Sequence, residues 1–315
     1  MIAILCPGQG SQAPGMLSSW LERPGSGELL DRLSSAATVD LRHLGTDADA
    51  EEIKDTAVAQ PLIVASSLIS LAALTAQTGP QAGWAAATAG HSVGEYTAAV
   101  VAGVLTDTDA LSLVAVRGRA MADAAARTPT GMSAVVGGDP DEVLAALADL
   151  ELVPANVNGG GQVVAAGTLD ALARLKVNPP TKARVIPLAV AGAFHTEHMR
   201  SAVDTVAVAA ARLAPADPVI TLLTNSDGSV AAGGAAALSA MVAQISRPVR
   251  WDGCQRTLAA LGVTAAIELA PAGVLTGLAR RTLPGVETVA IKTPADLDAA
   301  ADLVARHTRA SEENA

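Results

Sequence analysis

Short apolar runs alternate with longer amphipathic segments along most of the chain. Runs of apolar residues predict strands at 2–6, 84–90, 219–225, 263–269 and 286–291. Apolar positions at helical spacing predict helices at 61–77, from 95 onwards, and at 108–127, 249–262 and 273–281. Strands that alternate with helices in this way are typical of a parallel sheet flanked by helices.

The middle of the chain follows a different order. After a turn at 128–131 come a strand, a helix, two apolar runs around a glycine-rich turn, a second helix and a final strand. This β-α-β-β-α-β order is the ferredoxin-like unit. We therefore predict an α/β fold in two parts. Residues 1–127 and 193–315 form a large domain with a mainly parallel sheet, and residues 128–192 form an inserted ferredoxin-like small domain.

Composition narrows the class of protein. The 315 residues are 50% hydrophobic and carry a net charge of -10, which argues against disorder and against a broad basic face for nucleic acid. The two cysteines give no disulfide or zinc pattern. The N-terminus lacks a basic region, and no run of 18 apolar residues stands out. We expect a cytoplasmic protein with no membrane partner.

The segment AGHSVGE carries the clearest chemical signal. Gly90, Ser92 and Gly94 form the pattern G-x-S-x-G between a predicted strand and a predicted helix, which is the context of a nucleophile elbow. Glycines on both sides allow the backbone to turn sharply with the serine at the apex. The same pattern also fits a tight turn with an inert serine, so the interpretation requires a base elsewhere in the chain.

Of the five histidines, His195 is the one that we expect to act as base for Ser92. It follows the last strand of the insertion, where the chain returns to the large domain, and a cleft between two domains is a common site for chemistry. His91 flanks the turn and is expected to point away from the serine. His195 and His198 lack a third ligand and the H-E-x-x-H spacing, so we predict no metal.

Arg117 falls on the apolar side of its predicted helix, four residues from both Leu113 and Met121. An arginine that faces the interior is costly unless an anion meets it. That anion is either a protein carboxylate or the carboxylate of a substrate, which the planar guanidinium could bind through two hydrogen bonds. The sequence leaves both partners open.

The loop after the first strand, ILCPGQGSQAPG, fits two kinds of site. Gly8, Gly10 and Ala13 match the dinucleotide fingerprint G-x-G-x-x-G/A. However, Pro14 interrupts the helix that would bind phosphate, and no second strand leads to an acid about 20 residues further on. We favour the alternative, in which the backbone N–H of Gln9 donates to an oxyanion beside the nucleophile.

Six motifs occur in order along the chain: PGQGSQ, AQPL, GHSVGE, the helix that contains Arg117, PANVNGGGQVVAAG and GAFH. Together they resemble the malonyl-CoA:acyl-carrier-protein transacylase family, from Pro7 to about Lys292. The resemblance implies an α/β-hydrolase-like large domain with a ferredoxin-like insertion. It also implies ping-pong transfer of a malonyl group from malonyl-CoA to the phosphopantetheine thiol of acyl carrier protein through a malonyl-serine, for fatty-acid or polyketide synthesis. No cofactor is implied.

The resemblance also implies roles for the matching residues. Ser92 would be the acylated nucleophile, His195 its base and Arg117 the partner of the malonyl carboxylate. The backbone N–H groups of Gln9 and Val93 would form the oxyanion hole. Residues that would line or brace the cleft are Gln60, Asn156 and Asn158.

Two further positions carry a more specific expectation. In the family a main-chain carbonyl orients the histidine, and the match places this carbonyl at Arg250. Phe194 precedes His195, as a phenylalanine does in related acyltransferases of the malonyl-selecting type, where its ring fills the space of an α-methyl group. The alternative for Phe194 is an ordinary core residue.

Malonyl-CoA and acyl carrier protein are thus the expected partners, and we expect a monomer. Carrier proteins are acidic, as this chain is, so docking requires a local basic patch. The candidates for this patch are Lys182, Arg184, Arg247, Arg280 and Arg281. Two other functions stay open: a serine hydrolase, in which water intercepts the acyl-enzyme, and a dinucleotide-binding or scaffold protein built on the opening glycines.

Overall fold

Among the residues that the structure describes, 1–312, a five-stranded sheet forms the centre of the large domain. In this computed structural model, in which side chains are described for 1–309, its strands are β1 (Ile2–Cys6), β2 (Ala85–Gly90), β7 (Thr221–Leu222), β8 (Ala265–Glu268) and β9 (Glu287–Ala290). The strand order is β7-β2-β1-β8-β9, and every neighbouring pair is parallel. The predicted α/β class with a mainly parallel sheet is confirmed.

Helices cover both faces of this sheet. They are α1 (Ser18–Leu21), α2 (Ser26–Ala37), α3 (Leu41–Thr46), α4 (Thr56–Thr78), α5 (Gly94–Val101), α6 (Asp107–Ala125), α9 (Arg200–Ala210), α10 (Gly234–Ala243), α11 (Trp251–Ala260), α12 (Val274–Thr282) and α13 (Leu297–Glu312). Ile2, Ile4 and Cys6 of β1 pack into one apolar cluster, with α2, α4 and α6. Ala3 and Leu5 pack into the other, with α11 and α12. This burial on both faces explains why β1 is an unbroken apolar run.

Helix α4 runs through the larger of these two clusters. By length and mean hydropathy alone, its 23 residues could cross a membrane, so the expectation that no segment would qualify was wrong. In the structure, 83% of its most apolar window is buried inside the protein. The helix therefore has the surroundings of a core helix.

Two predicted element boundaries were wrong for local reasons. Helix α4 begins ahead of Pro61, because the Asp55 carboxylate accepts a hydrogen bond from the Ala57 N–H (2.7 Å) and caps the first turn. Strand β7 is much shorter than predicted. The Leu223 N–H still donates to the carbonyl of Thr88 in β2 (3.0 Å), but the chain then leaves the sheet, because the Asn225 N–H bonds to the Glu95 carboxylate (2.7 Å) instead of to β2.

The insertion folds into a separate four-stranded antiparallel sheet with two helices. Its elements are β3 (Thr130–Gly137), α7 (Pro140–Asp149), β4 (Val153–Gly159), β5 (Gln162–Thr168), α8 (Leu169–Val177) and β6 (Ala183–Pro187). Within the described residues the strand order is β4-β5-β3-β6, the order of a ferredoxin-like unit. The predicted β-α-β-β-α-β order is confirmed.

The two faces of the small sheet serve different purposes. Val135 and Ala165 point to α7 and α8 and form the small domain's own core. Their neighbours Ala134 and Val164 point to the opposite face and line a cavity against the large domain. The strand edge at β4 joins the large domain directly, because the Val249 N–H donates to the carbonyl of Ala155 (2.8 Å). The small domain therefore forms one wall of a cleft.

Candidate active site

Ser92 occupies the sharp turn between β2 and α5. Its φ is +53°, in the left-handed region, which is rare outside glycine and is found at strained functional turns. A Cβ added at Gly90 would lie 2.0 Å from the carbonyl carbon of Gly94. A Cβ at Gly94 would lie 2.1 Å from the carbonyl oxygen of Cys6. Both glycines are therefore required by the geometry of the elbow.

Ser92 and His195 are in hydrogen-bond contact across the cleft. The Ser92 Oγ lies 2.8 Å from His195 Nε2, and His195 Nδ1 lies 2.8 Å from the main-chain oxygen of Gln244. A carbonyl only accepts, so Nδ1 carries the proton and Nε2 accepts from the serine hydroxyl. Burial and the nearby charge of Arg117 lower the pKa of His195 to about 3, so the imidazole is neutral near pH 7.

The expectation that Arg250 supplies the orienting carbonyl was wrong. Its carbonyl accepts the N–H groups of Gly253 and Cys254 and so caps the first turn of α11, while its guanidinium pairs with Asp252. The acceptor for His195 comes instead from Gln244, where α10 ends. The last carbonyls of a helix have no partner within the helix and are available to a side chain.

Arg117 is completely buried beside the nucleophile. Its NH1 donates to Gln60 Oε1 (2.7 Å), and its NH2 lies 2.9 Å from Gln244 Oε1 and 3.3 Å from Ser92 Oγ. Its Cζ lies 5.7 Å from the ring centroid of Tyr96. No ion pair with a carboxylate involves Arg117 in the described part of the chain, and its Nε has no partner. The protein holds this cation through neutral groups only.

Two backbone N–H groups beside Ser92 remain without a protein acceptor among residues 1–312: those of Gln9 and Val93. Parallel pairing of β1 with β2 brings their loops together, and the His91 N–H donates to the carbonyl of Cys6 (3.0 Å). Gly8 packs so closely against His91 that an added Cβ would lie 2.6 Å from its carbonyl oxygen. The loop after β1 thus lies against the elbow, as an oxyanion hole requires.

The same loop does not offer the phosphate site of a dinucleotide-binding fold. No helix begins within it, and the next helix, α1, has only four residues. A helix N-terminus that could receive a pyrophosphate is therefore missing at this point of the described chain.

A cavity of about 200 Å³ lies beside Ser92 and His195 and has walls from both domains. Phe194, which is 5% exposed, lines it together with Met121 and Met132. Gln60, Gln9, Asn156 and Asn158 also line it. The structure therefore brings together every predicted site residue except Arg250, although the role of each stays a prediction.

The asparagines connect the small domain to the elbow. Asn158 Oδ1 lies 2.9 Å from His91 Nε2, and its main-chain oxygen accepts from Gln255 Nε2 (2.8 Å). Asn156 forms an isolated bridge with Val249. His91 therefore bonds away from Ser92, and both asparagines hold the wall of the cleft in place.

Three buried polar residues at the site were not found from the sequence: Glu95, Asn225 and Gln244. Asn225 Oδ1 accepts the Ser92 N–H (2.8 Å) while its Nδ2 donates to the carbonyl of Gly90 (2.8 Å), so it braces the elbow. Glu95 lies within the quoted motif GHSVGE, and a charged residue at the start of a buried helix was a usable signal. Asn225 and Gln244 gave no such signal in their local sequence.

Comparison with known proteins identifies the family. The acyl transferase domain family matches residues 4–306. The chain is 55% identical over 303 residues to the malonyl CoA-acyl carrier protein transacylase of Mycobacterium tuberculosis, covering 96% of this chain and 100% of that protein. The crystal structure of MCAT from Mycobacterium tuberculosis superposes with a TM-score of 0.93 at 54% identity, covering 96% and 99% of the two chains.

A second solved structure shows a type II PKS acyl-carrier protein in complex with its malonyl-transacylase. Its TM-score is 0.88 at 30% identity, and it covers 96% of this chain and 99% of that chain. The Ser92–His195 pair, the buried Arg117 and the two-domain cleft thus occur in a chain that belongs to the malonyl-CoA:acyl-carrier-protein transacylase family of acyl transferase domains.

Proposed function

We propose that this chain transfers the malonyl group of malonyl-CoA to the phosphopantetheine thiol of acyl carrier protein, and so supplies fatty-acid or polyketide synthesis. The observation that carries the proposal is Arg117. A buried guanidinium that no protein carboxylate neutralises lies 3.3 Å from the nucleophilic oxygen. Such a cation suits an acyl group that ends in a carboxylate.

The first half-reaction loads the enzyme. The Ser92 oxygen attacks the thioester carbonyl while His195 Nε2 takes the hydroxyl proton. The oxyanion forms next to the backbone N–H groups of Gln9 and Val93, each worth about 2.7–4 kcal/mol in comparable sites. The tetrahedral intermediate then collapses, the carbon–sulfur bond breaks, and CoA leaves as a thiol with the proton from His195. The product is malonyl-Ser92.

The second half-reaction runs the same steps with a different thiol. His195 Nε2 takes the proton of the phosphopantetheine thiol, and the sulfur attacks the ester of malonyl-Ser92. The carbon–oxygen bond breaks, and His195 returns the proton to the serine oxygen. One histidine therefore serves both halves of a ping-pong cycle, because in each half it takes a proton from the attacking group and gives that proton to the leaving group.

Phe194 supports malonyl as the acyl group. Its ring lies in the cavity wall with Met121 and Met132, so the space beside the scissile carbonyl is restricted. An α-methyl branch, as in methylmalonyl, would have to displace one of these side chains. Phe194 would therefore exclude the branched donor by its bulk.

The test is the intact mass of the protein after incubation with malonyl-CoA alone. We expect the native chain to gain one malonyl group and to lose it when phosphopantetheinylated carrier protein is added. Ser92→Ala should gain nothing. Rapid release of free malonate without accumulation of the acyl-enzyme would favour a serine hydrolase instead.

The proposal also includes the oligomeric state of the protein, its location in the cell and the surface on which carrier protein docks. All the groups named for the reaction come from one chain, so a monomer would suffice, and sedimentation of the purified protein would test this. A cytoplasmic location would give access to malonyl-CoA, and fractionation of cells that produce the protein would test it. Carrier protein would dock on the basic patch, whose members Lys182, Arg184, Arg247, Arg280 and Arg281 are all exposed.

A further inference from the structure

A buried carboxylate that the mechanism above does not use lies beneath the nucleophile. Glu95, in the first turn of α5, is only 3% exposed. One of its oxygens accepts the Asn225 N–H (2.7 Å), and the other accepts from Gln244 Nε2 (2.5 Å). Burial raises the pKa of Glu95 to about 8, although both donors and the charge of Arg117 act in the opposite direction. Both oxygens accept from these donors, so Glu95 serves as an acceptor in each of the two contacts.

Gln244 connects this carboxylate to Arg117. Its Oε1 accepts from the Arg117 NH2 (2.9 Å), and its Nε2 faces only acceptors: Glu95 Oε2, Ser92 O (3.0 Å) and Asn225 Oδ1 (3.1 Å). Turning the amide over would place Oε1 against these acceptors and Nε2 against a guanidinium. The guanidinium donor on one side and the three acceptors on the other therefore determine the orientation of this amide.

The consequence for Arg117 follows from counting its donors. A guanidinium has two N–H groups on each terminal nitrogen. Gln60 accepts one from NH1, which leaves the other N–H of NH1 free, while NH2 donates to Gln244 (2.9 Å) and to Ser92 Oγ (3.3 Å). A carboxylate bound through two oxygens would take the free N–H of NH1 and replace Ser92 Oγ as the acceptor at NH2. Amide oxygens orient the cation without neutralising it. Glu95 is kept one amide away from Arg117, so it does not occupy the position that a substrate carboxylate requires.

We propose that Glu95 is a positioning residue for acyl selection: acting through the Gln244 side chain, it holds the Arg117 guanidinium in the orientation that binds a carboxylate-bearing acyl group. The proposal rests on the proposed function, in which Arg117 binds the malonyl carboxylate. It differs from that function in assigning selectivity to two residues that do not touch the substrate carboxylate.

The test is Glu95→Gln, with kcat/KM for acylation of Ser92 measured for malonyl-CoA and for acetyl-CoA. An amide at position 95 can accept from only one of its two neighbours and presents N–H groups to the other. The Gln244 amide must then turn, and Arg117 loses its NH2 partner. We expect the malonyl-to-acetyl ratio to fall at least tenfold, mainly through KM for malonyl-CoA.

A matched control is Glu268→Gln. Glu268 is also fully buried and accepts from the N–H groups of Leu275 and Thr276, but it caps α12 and has no contact with Arg117. We expect this variant to lower stability and to leave the ratio unchanged. If Glu95→Gln does not fold, Gln244→Met replaces it, because this change removes the amide and keeps the main-chain carbonyl that His195 uses.

The outcomes separate the inference from the proposed function. A native enzyme without preference for malonyl over acetyl would overturn the function and the inference together. A native preference that both Glu95→Gln and Gln244→Met retain would overturn the inference alone. A ratio that rises in Glu95→Gln would also overturn it, because Glu95 would then act by repelling the substrate carboxylate.

Discussion

At the scale of single residues, Arg117 is where we expect the acyl group to be selected. It is buried without a carboxylate partner, and two glutamine oxygens hold its terminal nitrogens. Burial lowers the pKa of Arg117, and Tyr96 and Glu95 oppose that change. A site built in this way gains most from a ligand that brings the missing negative charge, because a neutral acyl group leaves the buried cation unpaired.

Replacing Arg117 should therefore lower the rate of acylation by malonyl-CoA much more than the rate of acylation by acetyl-CoA. In Arg117→Ala we expect kcat/KM for malonyl-CoA to fall about 100-fold more than for acetyl-CoA, since hydrogen bonds to a charged group contribute about 1.5–3 kcal/mol each. Stopped-flow acylation with both donors measures this ratio. Arg119→Ala, on the exposed side of the same helix, is the control and should behave as the native enzyme. Equal losses for both donors would reject the carboxylate clamp.

We expect the protonation of His195 to determine how the rate of acylation depends on pH at acidic pH. A histidine whose pKa is lowered stays neutral, and hence able to act as base, until the pH falls close to that lowered value. With a pKa of about 3 for His195, acylation by malonyl-CoA should be nearly constant from about pH 5 to 7, below the range in which Glu95, whose pKa burial raises to about 8, changes its charge. A histidine with the ordinary value of about 6.5 would lose most of its activity at about pH 5.5. A rate that halves near pH 6.5 would contradict the lowered pKa.

At the scale of elements, the parallel pairing of β1 with β2 builds the site. Ser92 and the loop that contains Gln9 both follow the carboxyl ends of these strands, which lie at the same edge of the sheet. Close packing of α5 against both strands then requires glycine at positions 90 and 94. The nucleophile is thus placed by backbone contacts between elements.

A methyl group at position 90 should disturb the whole junction. It would overlap the backbone of Gly94 at 2.0 Å, so Gly90→Ala should lower stability by about 3 kcal/mol or more and acylation by at least 100-fold. Thermal melting and a serine-reactive probe measure the two effects. Gly83→Ala is the control, because no atom lies within 4 Å of the added Cβ. Native activity in Gly90→Ala would contradict this prediction, because it would show that β2 and α5 can separate enough for a methyl group without loss of acylation.

The sequence was sufficient wherever a short-range pattern determines the structure. The strand β1 and the turn with Ser92 between two glycines each follow from neighbours a few residues apart. Gln244 did not follow, because its carbonyl lacks an α-helical donor only where α10 ends; there it accepts the Arg247 N–H (3.2 Å) and His195 Nδ1 (2.8 Å). Asn225 was expected inside a strand, but its backbone and side chain bond to the elbow instead of to the sheet.

At the scale of the whole molecule, the small domain forms one wall of the cleft that contains Ser92 and His195. One face of its sheet contains its own core, and the other lines the cleft opposite α12. Arg280 and Arg281 lie in the last turn of α12, and Arg281 lies against the glycine turn between β4 and β5. Part of the basic patch is therefore on the helix that borders the cleft.

Reversing the charge of Arg280 and Arg281 should slow transfer to carrier protein more than it slows acylation by malonyl-CoA. In the double variant Arg280→Glu and Arg281→Glu, we expect kcat/KM for transfer to carrier protein to fall about tenfold at low salt and less at high salt. Acylation by malonyl-CoA, measured in the same preparation, serves as the internal reference. Arg212→Glu, an exposed arginine at the end of α9, is the matched control. Unchanged carrier kinetics would remove this patch as the docking site.

The carbonyl of Gln244, in the place of a carboxylate, affects how strong a base His195 can be. A peptide carbonyl has a dipole but no net charge, so it stabilises the imidazolium formed at His195 less than an aspartate would. The positive charge of Arg117 destabilises that imidazolium further. A weakly basic imidazole suits a thioester donor, whose thiolate departs readily, and its acidic conjugate form readily returns a proton to the Ser92 oxygen in the second half-reaction. The same histidine can therefore take a proton in one step and return it in the next without the aspartate of a protease triad.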